Sequence, residues 1–370
     1  MQFIDLSAQQ KRIRERIESN IKKVLDHGRY INGPEVQELE EKLAEYVGVN
    51  GAVGVSSGTD ALLIALKALG IGPGDAVFTS TFTFIATAEV VQLLGATPVF
   101  VDVDEHTFNM DVAGLAKAVD TVLNEGRLKP RVIIPVDLFG QPADYDVINE
   151  IAAQHNLIVL EDAAQSFGAI YKGRRACSLA AVGTTSFFPA KPLGCYGDGG
   201  MIFTNDQGLS DTIFSLRNHG QGRDKYDNVR VGFNGRLDTM QAAVLLAKYE
   251  LLDEEIDRRQ EVAKRYDEGL KDSVEIPYVK NDNVSAWAQY SVKHPRRDEI
   301  IKKLKEDGIP TAVYYPKPLH LQKAFSGLGY SEGDFPVAEQ VSKQIFSLPM
   351  HPYLSEKEQG RIIESVKRAV

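Results

Sequence analysis

Four separated segments of this chain carry residue types that could act together on a small anionic group. In Val55-Ser56-Ser57-Gly58-Thr59-Asp60, hydroxyls and a glycine stand between a strand and an Ala/Leu-rich helix. Gly58 permits close backbone approach, and the helix offers unpaired N–H groups and its positive dipole end to an anion. The segment reads as a phosphate cup or as an ordinary helix cap, since Ser, Thr and Asp favour helix starts anyway. In Ile158-Val159-Leu160-Glu161-Asp162-Ala163-Ala164-Gln165-Ser166, an apolar strand ends in carboxylates. An acid at the edge of a sheet buried on both faces needs a cation or hydrogen-bond donors, so Asp162 could hold a protonated heterocycle or merely cap. Lys191 lies between Pro189 and Pro192, ahead of the glycines 194, 197, 199 and 200. Partial desolvation there would lower its pKa and free the amine as a nucleophile, although most lysines are solvated surface charges. In Val231-Gly232-Phe233-Asn234-Gly235-Arg236-Leu237-Asp238, Asn234 and Arg236 suit an anion or a ribose phosphate, or simply a solvated helix entry. Phosphate cup, carboxylate for a ring nitrogen and Schiff-base lysine are together the parts that a pyridoxal phosphate (PLP) enzyme needs.

The elements that must position these residues follow from hydrophobic periodicity. Helices are expected over Ser7–Asp26, closed by Gly28, and over Pro34–Tyr46 with Pro in its first turn. Between Ala52 and Leu160, short β-branched runs alternate with helical ones: strands 52–55, 76–79, 98–101, 132–136 and 157–160, helices 60–69, 84–94, 111–123 and 145–155. That alternation implies crossover units and a mostly parallel sheet, whose ligands gather beyond the carboxyl ends of the strands. Thr184–Phe188 and Met201–Thr204 read as two strands joined by a constrained turn, and Leu237–Glu268 as one long helix. A strand at 289–293, a helix at 298–307, a strand at 311–315, Pro-punctuated loops and a last helix from Ser355 complete the chain. The division expected is a large domain, residues 1–244, and a smaller α+β domain, residues 245–370.

At 370 residues, with 43% hydrophobic and 25% charged, the chain matches ordinary globular composition. With 42 Lys+Arg against 51 Asp+Glu, the formal charge of −9 argues against a broad nucleic-acid face. Cys177 and Cys195 form no C-x-x-C, and no histidines pair at ligand spacing, so no metal is expected. Gly70-Ile71-Gly72-Pro73-Gly74 lacks the third glycine of a dinucleotide fingerprint, and no Walker loop or H-E-x-x-H occurs. Neither a signal peptide nor a run of about 20 apolar residues is found, which points to a cytoplasmic protein without membrane attachment.

The chain resembles the DegT/DnrJ/StrS family of nucleotide-sugar aminotransferases. The likeness is carried by His27–Pro34, Ser56–Leu62, Thr81–Thr87, Glu161–Gln165, the lysine segment, and Tyr315-Pro316-Lys317-Pro318-Leu319-His320. It implies an α/β fold of the fold-type I, aspartate aminotransferase-like class, with a mostly parallel seven-stranded sheet and a smaller C-terminal α+β domain. By this similarity Lys191 would form the Schiff base with PLP and shuttle protons, and Asp162 would pair with the pyridinium nitrogen. Gln165 would contact the phenolic oxygen, and Phe84 would stack on the ring. Gly58, Thr59 and Ser186 match phosphate-binding positions, and Asn234 matches a residue that reaches the phosphate from the other subunit, implying a homodimer with shared active sites. The substrates implied are L-glutamate and a nucleotide-linked ketosugar. In related sugar 3-dehydratases a histidine replaces the lysine, so Lys191 favours transamination. The string Phe188–Gly200, with Pro192 after the lysine, looks closest to the subgroup acting on UDP-2-acetamido-2-deoxy-3-oxo-glucuronate in bacterial surface polysaccharide (O-antigen) synthesis. Arg236 would then face the sugar carboxylate, Tyr314, Tyr315 and His320 would line the sugar pocket, and Arg29 and Tyr30 would lie nearby. A 3-keto- or 4-keto-6-deoxy nucleotide hexose is the competing substrate, and a noncatalytic PLP or sugar-nucleotide binder the competing class.

Overall fold

The computed structural model describes residues 1–224 and 226–370. Its centre is a sheet of seven strands, β1 (Gly51–Val55), β2 (Asp75–Ser80), β3 (Thr97–Val101), β4 (Lys129–Ile134), β5 (Ile158–Asp162), β8 (Val182–Ser186) and β9 (Gly200–Thr204), in the order β1-β9-β8-β5-β4-β2-β3. The pairs β2–β3, β2–β4, β4–β5 and β5–β8 are parallel. Only β9 runs against its two neighbours, as expected for the constrained turn between Ser186 and Gly200. The short strands β6 (Ile170–Tyr171) and β7 (Arg174–Arg175) form a hairpin that β10 (Asn283–Val284) joins.

Consecutive strand residues point to opposite faces, and both faces are covered. Val77, Val132 and Leu160 pack with helices α3 (Gly58–Ala68), α4 (Ala86–Leu93) and α7 (Gln207–Arg217). Phe78, Ile133 and Val159 pack with α5 (Val112–Glu125) and α6 (Tyr145–His155) on the other side. A third cluster joins α2 (Pro34–Val47) and α8 (Thr239–Tyr249) to Met201 and Phe203 of β9. Helix α1 (Leu6–His27), capped by Asp5 accepting from Ala8 N and closed by left-handed Gly28, lies on α8. A further core holds α9 (Leu252–Leu270), the antiparallel pair β11 (Tyr290–Lys293) and β12 (Ile345–Leu348), α10 (Arg297–Glu306) and α12 (Glu356–Ala369). Helix α11 (Pro336–Gln344) leads into β12.

Two sequence expectations are corrected. The helix expected over Leu237–Glu268 is two helices, α8 and α9, broken at Glu250–Leu251, where Leu251 N donates to Lys248 O in a tightened last turn. The break follows burial: residues 242–248 of α8 are inaccessible all round, whereas α9 has one buried stripe and a charged face. Nor is 311–315 a strand. Ala312 makes a single bridge to Ser347 on the edge of β12 that β11 leaves free, and the pairing goes no further because Tyr314 and Tyr315 turn away to pack beside Phe82 and Phe84.

Candidate active site

The four segments converge at the carboxyl edge of the parallel strands. β5 delivers Asp162, which is 4% exposed. Its Oδ2 accepts from Thr87 Oγ1 at 2.8 Å and its Oδ1 from Ala164 N at 3.2 Å. Burial raises the Asp162 carboxyl above its ordinary range, while Thr87, Ala164 N–H and the charge of Lys191 pull it back. Lys191 follows β8 on a turn closed by its own N–H to Phe188 O at 2.9 Å. The residue is half-buried, and its ammonium finds no hydrogen bond or ion pair among the described residues. Burial lowers the Lys191 pKa, and the charge of Asp162 opposes that shift.

Gln165, on the turn after β5, is 4% exposed. Its Oε1 accepts from Phe139 N at 2.7 Å and its Nε2 donates to Tyr315 Oη at 3.3 Å. Burial raises the Tyr315 phenol, so it stays protonated. The Phe84 ring lies 6.4 Å from that of Tyr315 and is 55% exposed, leaving a flat apolar face open.

The cup forms where α3 meets β8 and β9. Ser57 caps α3 by accepting from Asp60 N at 3.0 Å, and Ser56 Oγ donates to the Asp60 carboxylate. A side chain at position 58 would place its Cβ 2.6 Å from Ser186 Cβ, and one at position 200 would sit 2.4 Å from Ser57 O. The close approach of three chain segments therefore depends on Gly58 and Gly200. Thr59 is half-buried, and its hydroxyl has no partner among the described residues. The Ser186 hydroxyl accepts from Phe188 N at 3.2 Å.

A backbone ladder ties the remaining predicted residues to this cup. Ser56 N donates to Gly235 O, Val55 bridges Arg236, Ile31 bridges Asp238, and Thr239 N donates to Tyr30 O. Arg236 Nη2 donates to Asn234 Oδ1 at 2.5 Å, while its buried Nε has no acceptor. Arg29 and Tyr30 are exposed on the rim, Arg29 donating to Asn32 O at 3.4 Å.

His320 departs from expectation and does not line an open pocket. It is 2% exposed, with Nδ1 bonded to Thr81 Oγ1 at 2.7 Å, Nε2 to Glu339 Oε1 at 3.1 Å, and its ring 4.8 Å from Phe335. With both nitrogens engaged it has nothing to offer a ligand; it anchors the segment that carries Tyr314 and Tyr315 to β2. Tyr314 and Tyr315 are partly buried beside Phe82 and Phe84, and only Tyr315 reaches a predicted cofactor residue.

Thr87 and Asp137 escaped the sequence reading. Asp137 ends the apolar run Val132–Val136 just as Asp162 ends β5, and that repeated signature, a carboxylate at a buried strand's end, could have marked it. Thr87 opens α4 among Ala and Val and carries no comparable signal.

This donor set fits PLP. An uncommitted amine can make a Schiff base, a carboxylate with spare acceptor capacity can meet a pyridinium N–H, and an amide NH₂ can meet a phenolic oxygen. A hydroxyl-rich helix start can take a phosphate. No group of three or more His, Cys, Asp or Glu that could hold a metal ion occurs among the described residues. No described helix is long and apolar enough to cross a membrane.

Comparison with known proteins agrees with this chemistry. The DegT/DnrJ/EryC1/StrS aminotransferase family matches residues 11–367. A UDP-2-acetamido-2-deoxy-3-oxo-D-glucuronate aminotransferase of Pseudomonas aeruginosa is 50% identical over 355 residues, 96% of this chain and 96% of that protein. A crystal structure of a DegT DnrJ EryC1 StrS aminotransferase from Brucella abortus superposes with a TM-score of 0.97 at 53% identity, over 100% of this chain and 99% of that one. The Bacillus subtilis ntda structure with bound cofactor PMP has a TM-score of 0.89 at 30% identity, over 99% of this chain and 83% of that one. The chain therefore belongs to the DegT/DnrJ/EryC1/StrS aminotransferase family and is a PLP-dependent enzyme with the fold-type I architecture.

Proposed function

We propose that this aminotransferase moves an amino group from L-glutamate to a UDP-linked 2-acetamido-3-oxo-glucuronate, giving the 3-amino sugar for a bacterial surface polysaccharide such as O-antigen, in the cytoplasm. The observation that carries the catalytic part is the half-buried Lys191, whose amine has no hydrogen-bond or ion-pair partner among the described residues and feels the charge of Asp162. PLP, when bound, supplies an electron sink that stabilises negative charge on the substrate carbon being deprotonated. Lys191 holds the cofactor covalently at rest and, once displaced by the donor amine, carries the proton between carbon atoms. Asp162 keeps the ring nitrogen protonated, and Thr87 and Ala164 N–H aim it and favour its ionised form against the effect of burial. Gln165 donates to the phenolic oxygen, Phe84 covers the ring face, and Gly58, Thr59 and Ser186 form the phosphate cup. Asn234 serves the phosphate of a second copy's site, so the working unit is a homodimer with shared active sites. Residues 1–244 form the cofactor domain in this reading and 245–370 the domain that closes the sugar pocket.

Support for the uronate comes from the Pseudomonas aeruginosa relative and from Arg236, whose guanidinium makes one side-chain hydrogen bond among the described residues, to Asn234, and has donors left for a sugar carboxylate. Tyr314 and Tyr315 border the sugar side, with Arg29 and Tyr30 at the rim. The test is incubation with glutamate and a panel of UDP- and dTDP-ketosugars, read by mass spectrometry. The UDP-3-oxo-uronate is expected to gain the amine fastest, and Arg236→Ala to raise its KM at least about tenfold, the loss of a charge-assisted pair. Preferred amination of a neutral 6-deoxy ketohexose, with no response to Arg236→Ala, would overturn the substrate assignment.

A further inference from the structure

Behind Asp162 and Gln165 lies a turn that touches neither the cup nor the lysine loop. After β4 the chain passes Pro135 and Val136 to Asp137, and Leu138–Gly140 make one short helical turn. Phe139 has φ 59° and ψ 4°, a left-handed conformation that non-glycine residues hold only when their surroundings impose it. The surroundings here are specific. A Cβ at position 140 would lie 2.6 Å from Trp287 N, and Ala286 N donates to Gly140 O at 2.8 Å, so the turn is pressed from behind by another segment. Asp137 is fully buried and collects Ala143 N at 2.9 Å, Tyr145 Oη at 2.8 Å and Ser166 Oγ at 2.7 Å. Two backbone N–H groups of the turn reach the cofactor side: Asp137 N donates to Asp162 O at 3.1 Å, and Phe139 N to Gln165 Oε1 at 2.7 Å.

A backbone N–H can only donate. The Gln165 atom that meets Phe139 N must therefore be the carbonyl oxygen, which leaves Nε2 as the outward group. A flipped amide would set donor against donor at Phe139 and acceptor against acceptor at a phenolate in a buried site, losses that a rotated Tyr315 hydroxyl donating to the amide oxygen would offset only in part. We infer that the Asp137–Gly140 turn is a positioning element for Gln165: Phe139 N–H, held by the buried Asp137, fixes the amide so that its NH₂ faces the cofactor's phenolic oxygen. This rests on the cofactor role proposed for Gln165. The positioning runs through the hydrogen bonds that Asp137 accepts from Ala143 N, Tyr145 Oη and Ser166 Oγ. Burial pushes its carboxyl up to about 7, against the hydrogen bonds from Ser166, Ala143 and Tyr145, and Asp162 adds to the upward push. Glu161, Asp162, Tyr145 and Cys177 are the titratable groups that face it.

The test is a double-mutant cycle on PLP-loaded protein, read as the pH midpoint of the visible absorption band and as the rate of PLP release. Gln165→Ala removes a donor to a charged oxygen and should raise the midpoint by about one pH unit. Asp137→Ala should raise it by most of that amount in the otherwise unchanged protein and by nothing further in the Gln165→Ala background. Asp137→Asn keeps the shape and an acceptor for Tyr145 and Ala143 N, and should move the midpoint far less than Asp137→Ala. If Asp137→Ala fails to fold, Ser166→Ala removes one of the three hydrogen bonds and should give a smaller shift that likewise vanishes without Gln165. Equal shifts by Asp137→Ala with and without Gln165, or equal shifts by the Ala and Asn variants, would overturn the inference and make Asp137 a charge. A silent Gln165→Ala would instead overturn the role of Gln165 itself.

Discussion

Adding one methyl group at Gly58 measures how closely the cup is built. In Gly58→Ala the new Cβ would stand 2.6 Å from Ser186 Cβ, 3.1 Å from Ser186 Oγ and 3.2 Å from Ser186 Cα. Carbon pairs settle at about 3.5–4.0 Å, so the start of α3 and the end of β8 must separate by roughly 1 Å. A serine rotamer change cannot relieve this, because Cβ and Cα move only with the strand. Overpacking of this kind costs about 1–3 kcal/mol, offset by no more than about 1 kcal/mol from replacing glycine by alanine in a helix. Apo protein should therefore unfold at a slightly lower temperature. The larger effect falls on the cofactor: the helix N–H groups and Ser186 no longer converge on one phosphate, and a shift of about 1 Å lowers turnover on the order of 100-fold. PLP titration followed in the visible band, together with thermal unfolding of the apo form, reads both terms. Unchanged PLP affinity in Gly58→Ala would refute the cup; an unchanged unfolding temperature would refute the packing argument.

Thr87→Val keeps the shape of the side chain and removes the hydroxyl that donates to Asp162 at 2.8 Å. Losing a hydrogen bond to a buried carboxylate costs about 1.5–3 kcal/mol, so PLP should leave at least about tenfold faster, and Thr87→Ser should restore retention. Lys191→Ala should abolish both turnover and the visible band that bleaches on adding glutamate; residual normal turnover would exclude the lysine as the cofactor's attachment point. His351 shares a small cavity with Gln9, Glu255 and Arg259 behind the Pro189–Pro192 loop. Burial and then the Arg259 charge hold its pKa down at about 4, against an ordinary 6.5. The unfolded chain takes up that proton before the folded one does, so the stability from neutral His351 is present above about pH 6.5 and is lost as the pH falls towards 4. The shift corresponds to about 3 kcal/mol, and urea unfolding of His351→Asn between pH 7 and 4.5 should show a shallower acid slope than the unsubstituted protein.

What the sequence made legible was chemistry tied to strand ends and glycine turns. The alternation from Ala52 to Leu160 set out the parallel sheet because a period of two switching to a period near 3.6 is local information. Asp162, Lys191 and the Ser56–Asp60 turn stood out because a carboxylate, an amine and hydroxyls each sat at a break in an apolar pattern. The break between α8 and α9 carries no glycine or proline; it comes from α8 being buried all round, which is a tertiary fact. His320 looked like a pocket residue because histidine is so often one, whereas its partners Thr81 and Glu339 lie 239 and 19 residues away. Residues 311–315 had the composition of a strand but pair with β12 only at Ala312 before Tyr314 and Tyr315 turn away to pack against Phe82 and Phe84, a tertiary contact no local window records. Asp137 shares with Asp162 the mark of a carboxylate at the end of an apolar run, whereas Phe139 acts through the backbone N–H of a left-handed turn, a geometry with no signature in residue type.

The central claim is that Lys191 is the residue that bonds the cofactor. Borohydride reduction of the PLP-loaded protein, followed by peptide mass spectrometry, tests it directly. The account predicts a single phosphopyridoxyl adduct, on the peptide that contains Lys191. An adduct on a different lysine, or none in protein that binds PLP and turns over, would contradict it.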